Sequence, residues 1–475
     1  MVFSSTIFLF YFFPLFFLLY FACPKKIKNP LVLICSIAFY SWGGPLFIFA
    51  ILTTTLLDFF LVRYMDRAKS KRWVFLVLSL SVNLGLLFYF KYLMFFVENT
   101  NTLLSWVGAG QIHLYKIILP LGLSFYTFES ITYIVDVYRK QHKPLDNFWD
   151  YQLYIIFFPK LLAGPIVRYG QIEDQIRDRS KQETIEHRLS GILRFITGLA
   201  KKVLIANTMG ETAHYIFYTL PPEAQTPALL WLGSFAYTFQ IYFDFAGYSD
   251  MALGLARMMG FHLPENFNFP YISGSITEFW RRWHITLGAW MKNYIYIPLG
   301  GNKISKQKGY LNLCIVFLIS GFWHGASWNF ILWGMFHGFF LVIERWFLLE
   351  YLKKIPKLFS ALFVLFIVNT GWILFNIKDL DKIKTILAKM YSFNLFEQSA
   401  YFPDKKFFTV LCIAFIASMS GLIGKWYKLT QDDLAFYSGN STRSIALTFA
   451  GLILFFLSAA YIVAGDFNPF IYWRF

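Results

Sequence analysis

Charged residues are scarce in this sequence. Of its 475 residues, 57% are hydrophobic and only 15% are charged, a balance far from that of soluble globular domains. Apolar runs such as 73–90, 311–319 and 445–463 are long enough, alone or with their flanks, to cross the hydrocarbon core of a bilayer. The composition therefore excludes a soluble fold and indicates a polytopic membrane protein.

Strand-like alternation, linkers rich in Ser, Gly or Pro, and internal repeats are also absent. Backbone polar groups in lipid must be satisfied within each segment, which favours helices. On a ~20-residue spanning criterion, we predict an all-α fold of about 11–12 helices, plus short interfacial helices. We predict a single membrane domain over 1–475, divided into N-terminal spans (1–140), a catalytic core (145–345) and C-terminal spans with a tail (355–475).

Acidic residues are few beside basic ones, 27 against 43, and the net charge is +16. In a multi-pass membrane protein, Lys and Arg in cytoplasmic loops explain this excess. We therefore predict a lipid membrane, and no nucleic acid, as the partner of these charges.

Cysteines and the usual catalytic motifs are few or missing. The four cysteines lie in or beside apolar segments without metal-ligand spacing, so we predict small apolar side chains rather than disulfides. The chain lacks a Gly-rich phosphate loop, a His-x-x-x-His pair and a Gly-x-Ser-x-Gly elbow. No bound metal or cofactor is predicted, and serine-type acyl transfer has no visible nucleophile.

Three histidines instead stand in apolar surroundings. Their motifs are Glu278-Phe-Trp-Arg-Arg-Trp-His284, Gly321-Phe-Trp-His324-Gly-Ala326 and Trp333-Gly-Met-Phe-His337-Gly338. An ionisable residue at membrane depth is costly, so its default interpretation is a functional site. A histidine can take the proton of a hydroxyl that attacks a reactive thioester, while a second histidine or a backbone amide stabilises the oxyanion. A structural histidine or a proton pathway are the alternatives.

The middle of the chain, about 145–310, has short apolar runs that are interrupted by charge and proline. Broken helices at membrane depth are tolerated where they line a cavity or are buried in protein, so we expect a tunnel or funnel here. Residues 171–190 are predicted to form a charged surface helix. Residues 278–300 are predicted to form one amphipathic helix that ends at Pro298.

Two further patterns concern packing. Gly321 with Gly325, and Gly334 with Gly338, have the spacing that allows close helix approach. The acids Asp244 and Asp250 also fall in an apolar segment. We predict that they pair structurally with Arg281 or Arg282, with a proton pathway as the alternative.

The order of the motifs resembles a known family. The motifs are Ala163-Gly-Pro-Ile-Val-Arg168, Gln240-Ile-Tyr-Phe-Asp-Phe-Ala-Gly-Tyr-Ser-Asp250, Glu278-Phe-Trp-Arg-Arg-Trp-His-Ile-Thr286, Tyr296-Ile-Pro-Leu-Gly-Gly301, Gly321-Phe-Trp-His-Gly-Ala326 and Phe470-Ile-Tyr-Trp-Arg-Phe475. From end to end, the chain is similar to the membrane-bound O-acyltransferase superfamily, in particular to its alginate O-acetyltransferase branch.

The resemblance implies a ring of helices around a central tunnel in the bacterial inner membrane. His324 matches the catalytic histidine of the family, and His284 matches a second polar position that is Asn in other branches. Residues expected near the substrate in the tunnel are Trp323, Arg281, Arg282 and Asp250. The donor, acetyl-CoA or an acylated carrier protein, would enter from the cytoplasm, and the acyl group would leave on the outer side.

Members of this branch usually work with a separate extracytoplasmic acetyltransferase of the SGNH type, which passes acetyl to a polysaccharide. That partner, and an indirect polysaccharide acceptor, are therefore expected here. Tyr472 matches a C-terminal tyrosine that is thought to carry the acyl group outward. Anchoring of an aromatic C-terminus at the membrane interface is the alternative.

The expected function is the transfer of acetyl from a cytoplasmic thioester, for O-acetylation of an exopolysaccharide or cell-wall glycan, with His324 as the base. One alternative is a D-alanyl or longer-chain acyltransferase of the same fold. The other is a transporter of polysaccharide or ions, although the chain lacks the paired, similarly interrupted halves of repeat-built transporters.

Overall fold

A computed structural model describes residues 1–392, 394, 397, 401–422, 441–465 and 467 of the chain. These residues form helices that are joined by turns and loops, with no strand among them, which confirms the predicted all-α class. The chain divides into two compact units. The first comprises Met1–Glu183 with Met259–Leu263, and the second comprises Thr184–Met258 with Pro264–Phe475. The single domain over 1–475 stays a prediction.

Six described helices are long and apolar enough to cross a membrane, which confirms a multi-pass membrane protein. They are Phe47–Arg67, Arg72–Trp106, Trp328–Leu352, Lys357–Asn376, Lys405–Leu422 and Ser444–Ala464. Further apolar segments of the sequence are broken into shorter helices. Residues 148–161, for example, form two short helices because the backbone leaves the helical conformation at Phe157. Pro159 lies in the first turn of the second helix, where a proline is tolerated.

The first unit contains nine α-helices. They are α1 (Phe13–Ala22), α2 (Lys25–Ser41), α3 (Phe47–Arg67), α4 (Arg72–Leu87), α5 (Leu93–Trp106), α6 (Leu123–Tyr138), α7 (Phe148–Ile156), α8 (Phe158–Leu161) and α9 (Tyr169–Arg177). Short π-helical segments, Phe8–Phe12 and Phe88–Tyr92, precede α1 and α5, and a 3-10 turn, Ser180–Gln182, follows α9.

The broken backbone after α7 is buried in protein. Glu129 on α6 pairs with Lys160, and its other carboxylate oxygen accepts the backbone N–H of Val167 at 3.2 Å. The hydroxyl of Tyr154 donates to the carbonyl of Val167 at 2.8 Å. These bonds satisfy backbone groups that no helix satisfies, as burial at membrane depth requires.

The predicted surface helix over 171–190 was wrong. Helix α9 ends at Arg177, and the next helix begins only at Ile185. Asp178 has an extended backbone, and the Thr184 side chain accepts the N–H of His187, which starts a new helix at that point.

The second unit contains the remaining twelve described α-helices. They are α10 (Ile185–Ala200), α11 (Asn207–His214), α12 (Pro227–Met258), α13 (Ile276–Arg282), α14 (Ile285–Met291), α15 (Lys306–His324), α16 (Trp328–Ile343), α17 (Leu349–Leu352), α18 (Lys357–Asn376), α19 (Leu380–Met390), α20 (Lys405–Met419) and α21 (Ser441–Ala464). Short segments between them are the π-helical Lys201–Ala206, Tyr215–Thr219, Lys292–Tyr296 and Glu344–Leu348 and the 3-10 turns Pro222–Ala224, Pro270–Ile272 and Ser420–Leu422.

Helices α15 and α16 form an antiparallel hairpin, and close contact at glycines joins them. A Cβ on Gly321 would lie 2.3 Å from the carbonyl oxygen of Phe330 and 3.2 Å from Gly334. The predicted close approach is confirmed, with Gly321 and Gly334 facing each other across the two helices. Helix α18 joins the hairpin at its turn, where the Asn329 side chain donates to the carbonyl of Leu374 at 3.0 Å. The last residue of α15, His324, therefore lies where three helices meet.

Candidate active site

His324 is buried, with 5% of its surface exposed, and its ring is oriented by its own helix. The Nδ1 atom lies 2.7 Å from the carbonyl oxygen of Ser320, one turn earlier. A carbonyl oxygen can only accept, so in the neutral ring the proton must be on Nδ1. The basic lone pair is then on Nε2, the nitrogen that a general base would use.

Aromatic rings surround this imidazole. Ring centroids of Trp323, Trp333 and Phe375 lie 4.8, 5.0 and 5.3 Å from that of His324. Because such walls exclude bulk water, electrostatic interactions inside the site are stronger than they would be in solution.

His284 has a left-handed backbone, with φ of 43° and ψ of 55°. Residues other than glycine adopt this conformation only at a cost. The surrounding bonds hold it: the N–H of Ile285 donates to the carbonyl of Asn266 at 2.9 Å, and the Asn266 side chain accepts the Thr286 hydroxyl at 2.9 Å. The predicted single helix over 278–300 was wrong, because α13 ends at Arg282 and α14 begins at Ile285 around this kink.

The segment before His284 is anchored by a buried acid that sequence reasoning missed. Glu344, at the end of α16, accepts the backbone N–H groups of Ile276 and Thr277, the latter at 3.0 Å. The Ser275 side chain accepts the N–H of Glu278 in the same turn. The start of α13, which leads to His284, is thereby tied to the helix whose Trp333 packs against His324.

His284 and His324 line one cavity of about 420 Å³. Its wall includes Trp280 and three cations, Arg281, Lys292 and Arg345. Arg345 donates to the Tyr296 hydroxyl at 3.2 Å, and that hydroxyl donates to Asn302 at 2.7 Å, in contacts that are exposed. Two imidazoles therefore lie in a space of small-molecule size, and a cationic group lies at its open rim.

Comparison with known proteins identifies the family. Residues 140–353 match the model of the membrane-bound O-acyltransferase family. The chain is 37% identical to a probable alginate O-acetylase of Azotobacter vinelandii over all of both chains. The chain belongs to the membrane-bound O-acyltransferase family. The resemblance seen in the motifs is confirmed, and the enzyme is an O-acyltransferase.

Two further relatives of this O-acyltransferase cover most of its length. A probable alginate O-acetylase of Pseudomonas aeruginosa is 41% identical over 84% of this chain and 76% of its own. A peptidoglycan O-acetyltransferase of Helicobacter pylori is 35% identical over 83% of this chain and 80% of its own.

The predicted tunnel residues of the O-acyltransferase fall in different places. Arg281 lines the cavity with the histidines. Trp323 lies between the two imidazoles, 6.1 Å from His284 and 4.8 Å from His324 by ring centroids, but it is not among the cavity-lining residues. Arg282 is also absent from the cavity wall and pairs with Glu278 at 2.8 Å. Tyr472 lies outside the described residues.

The acids of α12 have partners other than those predicted. Asp250 pairs with Arg194 at 2.9 Å and with Lys201 at 2.6 Å, and it does not line the cavity. Asp244 pairs with Lys202 at 2.7 Å. The prediction of ion pairing is confirmed, but the predicted partners Arg281 and Arg282 were wrong. Arg194 lies on α10, and Lys201 and Lys202 lie in the π-helical segment that follows it. The sequence spacing did not reveal the tight packing of α10 on α12.

His337 is buried behind the cavity wall of the O-acyltransferase. Its ring lies 4.9 Å from Trp280 and 5.1 Å from Trp333, and it does not line the cavity. All four cysteines are free thiols. Within the residues that the structure describes, no group of three or more His, Cys, Asp or Glu side chains could hold a metal ion.

A second cavity, of about 550 Å³, lies beside Phe375. Phe375 contacts His324 and lines this second cavity together with Phe330, Tyr237 and His214. The same aromatic side chain therefore contacts His324 and borders a second space.

Proposed function

We propose that this enzyme moves an acetyl group from a cytoplasmic thioester across the bacterial inner membrane, for O-acetylation of an exopolysaccharide or cell-wall glycan. The observation that carries the proposal is the bond from His324 to Ser320, which leaves a basic nitrogen in a cavity with a cationic rim. Two relatives named as alginate O-acetylases and one named as a peptidoglycan O-acetyltransferase support acetyl as the group and a glycan polymer as its destination.

The chemistry follows from the tautomer of His324. Its Nε2 takes the proton of an acceptor hydroxyl while the hydroxyl oxygen attacks the thioester carbonyl carbon. The carbon–sulfur bond breaks, the thiolate leaves, and the imidazolium returns the proton to that sulfur. An oxygen ester and a free thiol are the products. A thioester is reactive enough that a base and correct positioning supply the needed acceleration.

His284 is proposed to stabilise the oxyanion of this reaction. Its imidazole lines the same cavity, is 2% exposed, and makes no hydrogen bond from either ring nitrogen within the described residues. A neutral imidazole carries one N–H, which can donate to the negative oxygen of the tetrahedral intermediate. In a dry site, one such donor contributes on the order of 3 kcal/mol.

The cationic rim suits the donor. Acetyl-CoA and acylated carrier proteins both carry phosphate next to the pantetheine arm, and arginine binds phosphate well. Arg281, Lys292 and Arg345 line the first cavity, with no acidic side chain among the described residues that line it. We propose that this cavity admits the pantetheine arm from the cytoplasm and that Arg345 contacts a donor phosphate.

The second cavity is proposed as the acceptor side. Phe467 lies against His214, which lines that cavity, with ring centroids 6.4 Å apart. The Tyr472 hydroxyl is proposed to accept acetyl and to pass it to an extracytoplasmic SGNH-type partner, which acetylates the glycan.

The test is the O-acetyl content of the cell-surface glycan in a strain that lacks the gene and carries one variant. Wild type is expected to restore acetylation, and His324→Ala at equal membrane abundance is expected to lose it. The matched control is His113→Ala, which removes an exposed histidine and should restore acetylation fully. Full acetylation with His324→Ala would refute base catalysis at this residue.

The relay is tested in the same strain with Tyr472→Phe, which removes only the hydroxyl oxygen. Loss of acetylation is expected, because the ester is formed on that oxygen. Restored acetylation would remove Tyr472 from the mechanism and leave the catalytic assignment of His324 intact.

A further inference from the structure

A carboxylate without a cationic partner lies in the middle of a membrane helix of the first unit. Asp58 is the twelfth of 21 residues in α3, one of the six helices that could cross a membrane, and it is fully buried. An ionised carboxylate at that depth is costly unless something compensates its charge. No step of the acetyl transfer uses it.

The contacts of Asp58 are all to neutral groups. One carboxylate oxygen accepts the Ser79 hydroxyl at 2.9 Å, and the other accepts the Asn83 amide at 2.8 Å, both from α4. The ion pairs of this unit within the described residues use other acids, namely Glu129, Glu173 and Glu183. These hydrogen bonds orient the carboxylate, but neither donor carries a positive charge that could compensate an ionised Asp58.

Several buried oxygen atoms near this carboxylate have no hydrogen-bond partner within the described residues. The amide oxygens of Asn83 and Gln152 and the hydroxyl of Tyr151 are buried and make no hydrogen bond within the part of the chain that the structure describes. The Tyr151 hydroxyl adjoins both Asp58 and Ser130. Amide oxygens only accept, so these groups require a cation or a donor that the protein itself does not supply.

Neighbouring contacts bring these oxygens to one place. The Asn83 amide oxygen belongs to the group that already bonds Asp58. Gln152 donates to Thr55, which lies one turn before Asp58 on α3. Tyr151, next to Gln152 on α7, stacks on Phe59 with ring centroids 6.4 Å apart. Polar side chains from α3, α4 and α7 therefore lie around the carboxylate.

The other charged and titratable groups that face this region are already engaged. Lys160 pairs with Glu129, and Arg63 lies over Phe59 and donates to the backbone of Asp146. The nearby hydroxyl of Tyr133 is bonded by the N–H of Leu145 at 3.2 Å. The unbalanced charge is −1, which a single monovalent cation neutralises and a divalent cation would overcompensate.

We propose that Asp58, Asn83 and Tyr151, with Gln152 beside them, form a binding site for one alkali cation, sodium or potassium, between α3, α4 and α7. Hard cations take carboxylate, carbonyl and hydroxyl oxygens, which is the ligand set here. Bound cation compensates the charge of Asp58 and bridges three helices of the first unit. The site is separate from the acetyl-transfer cavity and does not depend on the function proposed for it.

The test is thermal unfolding of the purified full chain in detergent, at constant ionic strength, with NaCl or KCl replacing choline chloride. A ligand that binds only the folded state stabilises it in proportion to the logarithm of its concentration. The unfolding midpoint of wild type should rise by about 5 °C at saturating sodium or potassium. Comparison of the midpoints in NaCl and in KCl shows which of the two ions binds.

Asp58→Asn is nearly isosteric and keeps an acceptor oxygen, but it has no charge, so the midpoint should lose its dependence on the cation. The matched control is Asp66→Asn, which removes an exposed acid from the same helix and should respond like wild type. A second measurement, equilibrium binding of radioactive sodium to wild type, should give one site per chain if sodium is the ion.

Three outcomes would overturn the site. Wild type whose midpoint is the same in choline, sodium and potassium has no cation site of this kind. If lower pH raises the unfolding midpoint of wild type and neither cation does, Asp58 is protonated and binds no cation. If the unfolding midpoint of Asp58→Asn depends on the cation as that of wild type does, the cation binds at another site. Because none of these readouts is acetylation, failure here leaves the proposed acetyl transfer untouched.

Discussion

The side-chain oxygen of Asn266 accepts a hydrogen bond from the hydroxyl of Thr286 at 2.9 Å. The backbone carbonyl of Asn266 also accepts the N–H of Ile285, so one buried residue fixes the two positions that follow His284. The same side chain donates to Ser249 on α12 at 3.2 Å. The left-handed backbone of His284 is thus set by a residue 18 positions earlier in the chain.

We expect Asn266→Ala to lower acetyl transfer by about 10- to 100-fold, because a small displacement of His284 removes it from the oxyanion. Thr286→Val removes one hydroxyl and leaves the backbone bond of Ile285, so its effect should be smaller. The measurement is the turnover rate per folded molecule, after folded protein is quantified by size-exclusion chromatography. A lower yield of folded protein with unchanged turnover would mean that Asn266 serves folding only.

The proposed role of His284 predicts different effects for two substitutions. Asn tolerates the left-handed backbone and carries an N–H donor, whereas Ala has no donor and disfavours φ near +43°. His284→Asn should therefore retain a measurable fraction of activity, and His284→Ala should fall on the order of 100-fold. Glycan O-acetyl content at equal membrane abundance is the readout. Equal losses in both variants would contradict a hydrogen-bond donor role.

Much of the site could be predicted from the sequence. Histidines flanked by Trp and Gly are conspicuous in so apolar a chain, and His284 and His324 do line one cavity. The glycine spacing predicted the close helix approach because a four-residue step places small residues on one helix face. Such local patterns predict structure from residues that are close in the sequence, and they do not depend on distant contacts.

Features that depend on distant contacts could not be predicted. The motif at 278–300 has helical periodicity, yet bonds from Asn266 break the helix at His284. Asp250 was predicted to pair with Arg281 or Arg282, but the packing of α10 on α12 supplies Arg194. Asp58 does have a signal in the sequence, since it is an acid within the apolar run at 47–62.

Gly321 and Gly309 lie on the same helix, α15, and give a matched pair of substitutions. A Cβ on Gly321 would lie 2.3 Å from the carbonyl oxygen of Phe330, whereas a Cβ on Gly309 would meet nothing within 4 Å. Gly321→Ala should destabilise the protein by about 1–3 kcal/mol because α15 and α16 must separate. Gly309→Ala should stabilise it by about 0.5–1 kcal/mol. Thermal unfolding of both variants checks the signs, and equal shifts would contradict tight packing at Gly321.

The rim of the first cavity predicts an effect on donor affinity. If Arg345 contacts a donor phosphate, Arg345→Ala removes a charged hydrogen bond and should raise KM for acetyl-CoA by about 10-fold, with kcat little changed. Lys353→Ala is the control, because Lys353 is exposed and pairs only with Glu350 within the described residues. Steady-state kinetics with a soluble acceptor analogue separate the two constants. An unchanged KM would place the donor phosphate elsewhere.

Two adjacent lysines separate the effect of burial from the effect of charge. Lys202 pairs with Asp244 where both side chains are almost fully buried, and Lys201 pairs with Asp250 while about a third of it is exposed. Breaking a buried ion pair by removing one partner is strongly destabilising, so Lys202→Met should cost about 3–5 kcal/mol of unfolding free energy. Lys201→Met should cost under about 1 kcal/mol, because Arg194 still neutralises Asp250.

The double variant Lys202→Met with Asp244→Asn decides whether charge is the cause. Replacing both partners removes both charges from the buried site, so much of the lost stability should return. If the double variant is as unstable as Lys202→Met alone, the cost comes from lost packing of the lysine stem against α12. Unfolding midpoints of the four proteins distinguish these cases, and glycan acetylation in the same variants tests whether the α10–α12 pairing matters to the site beyond holding the fold.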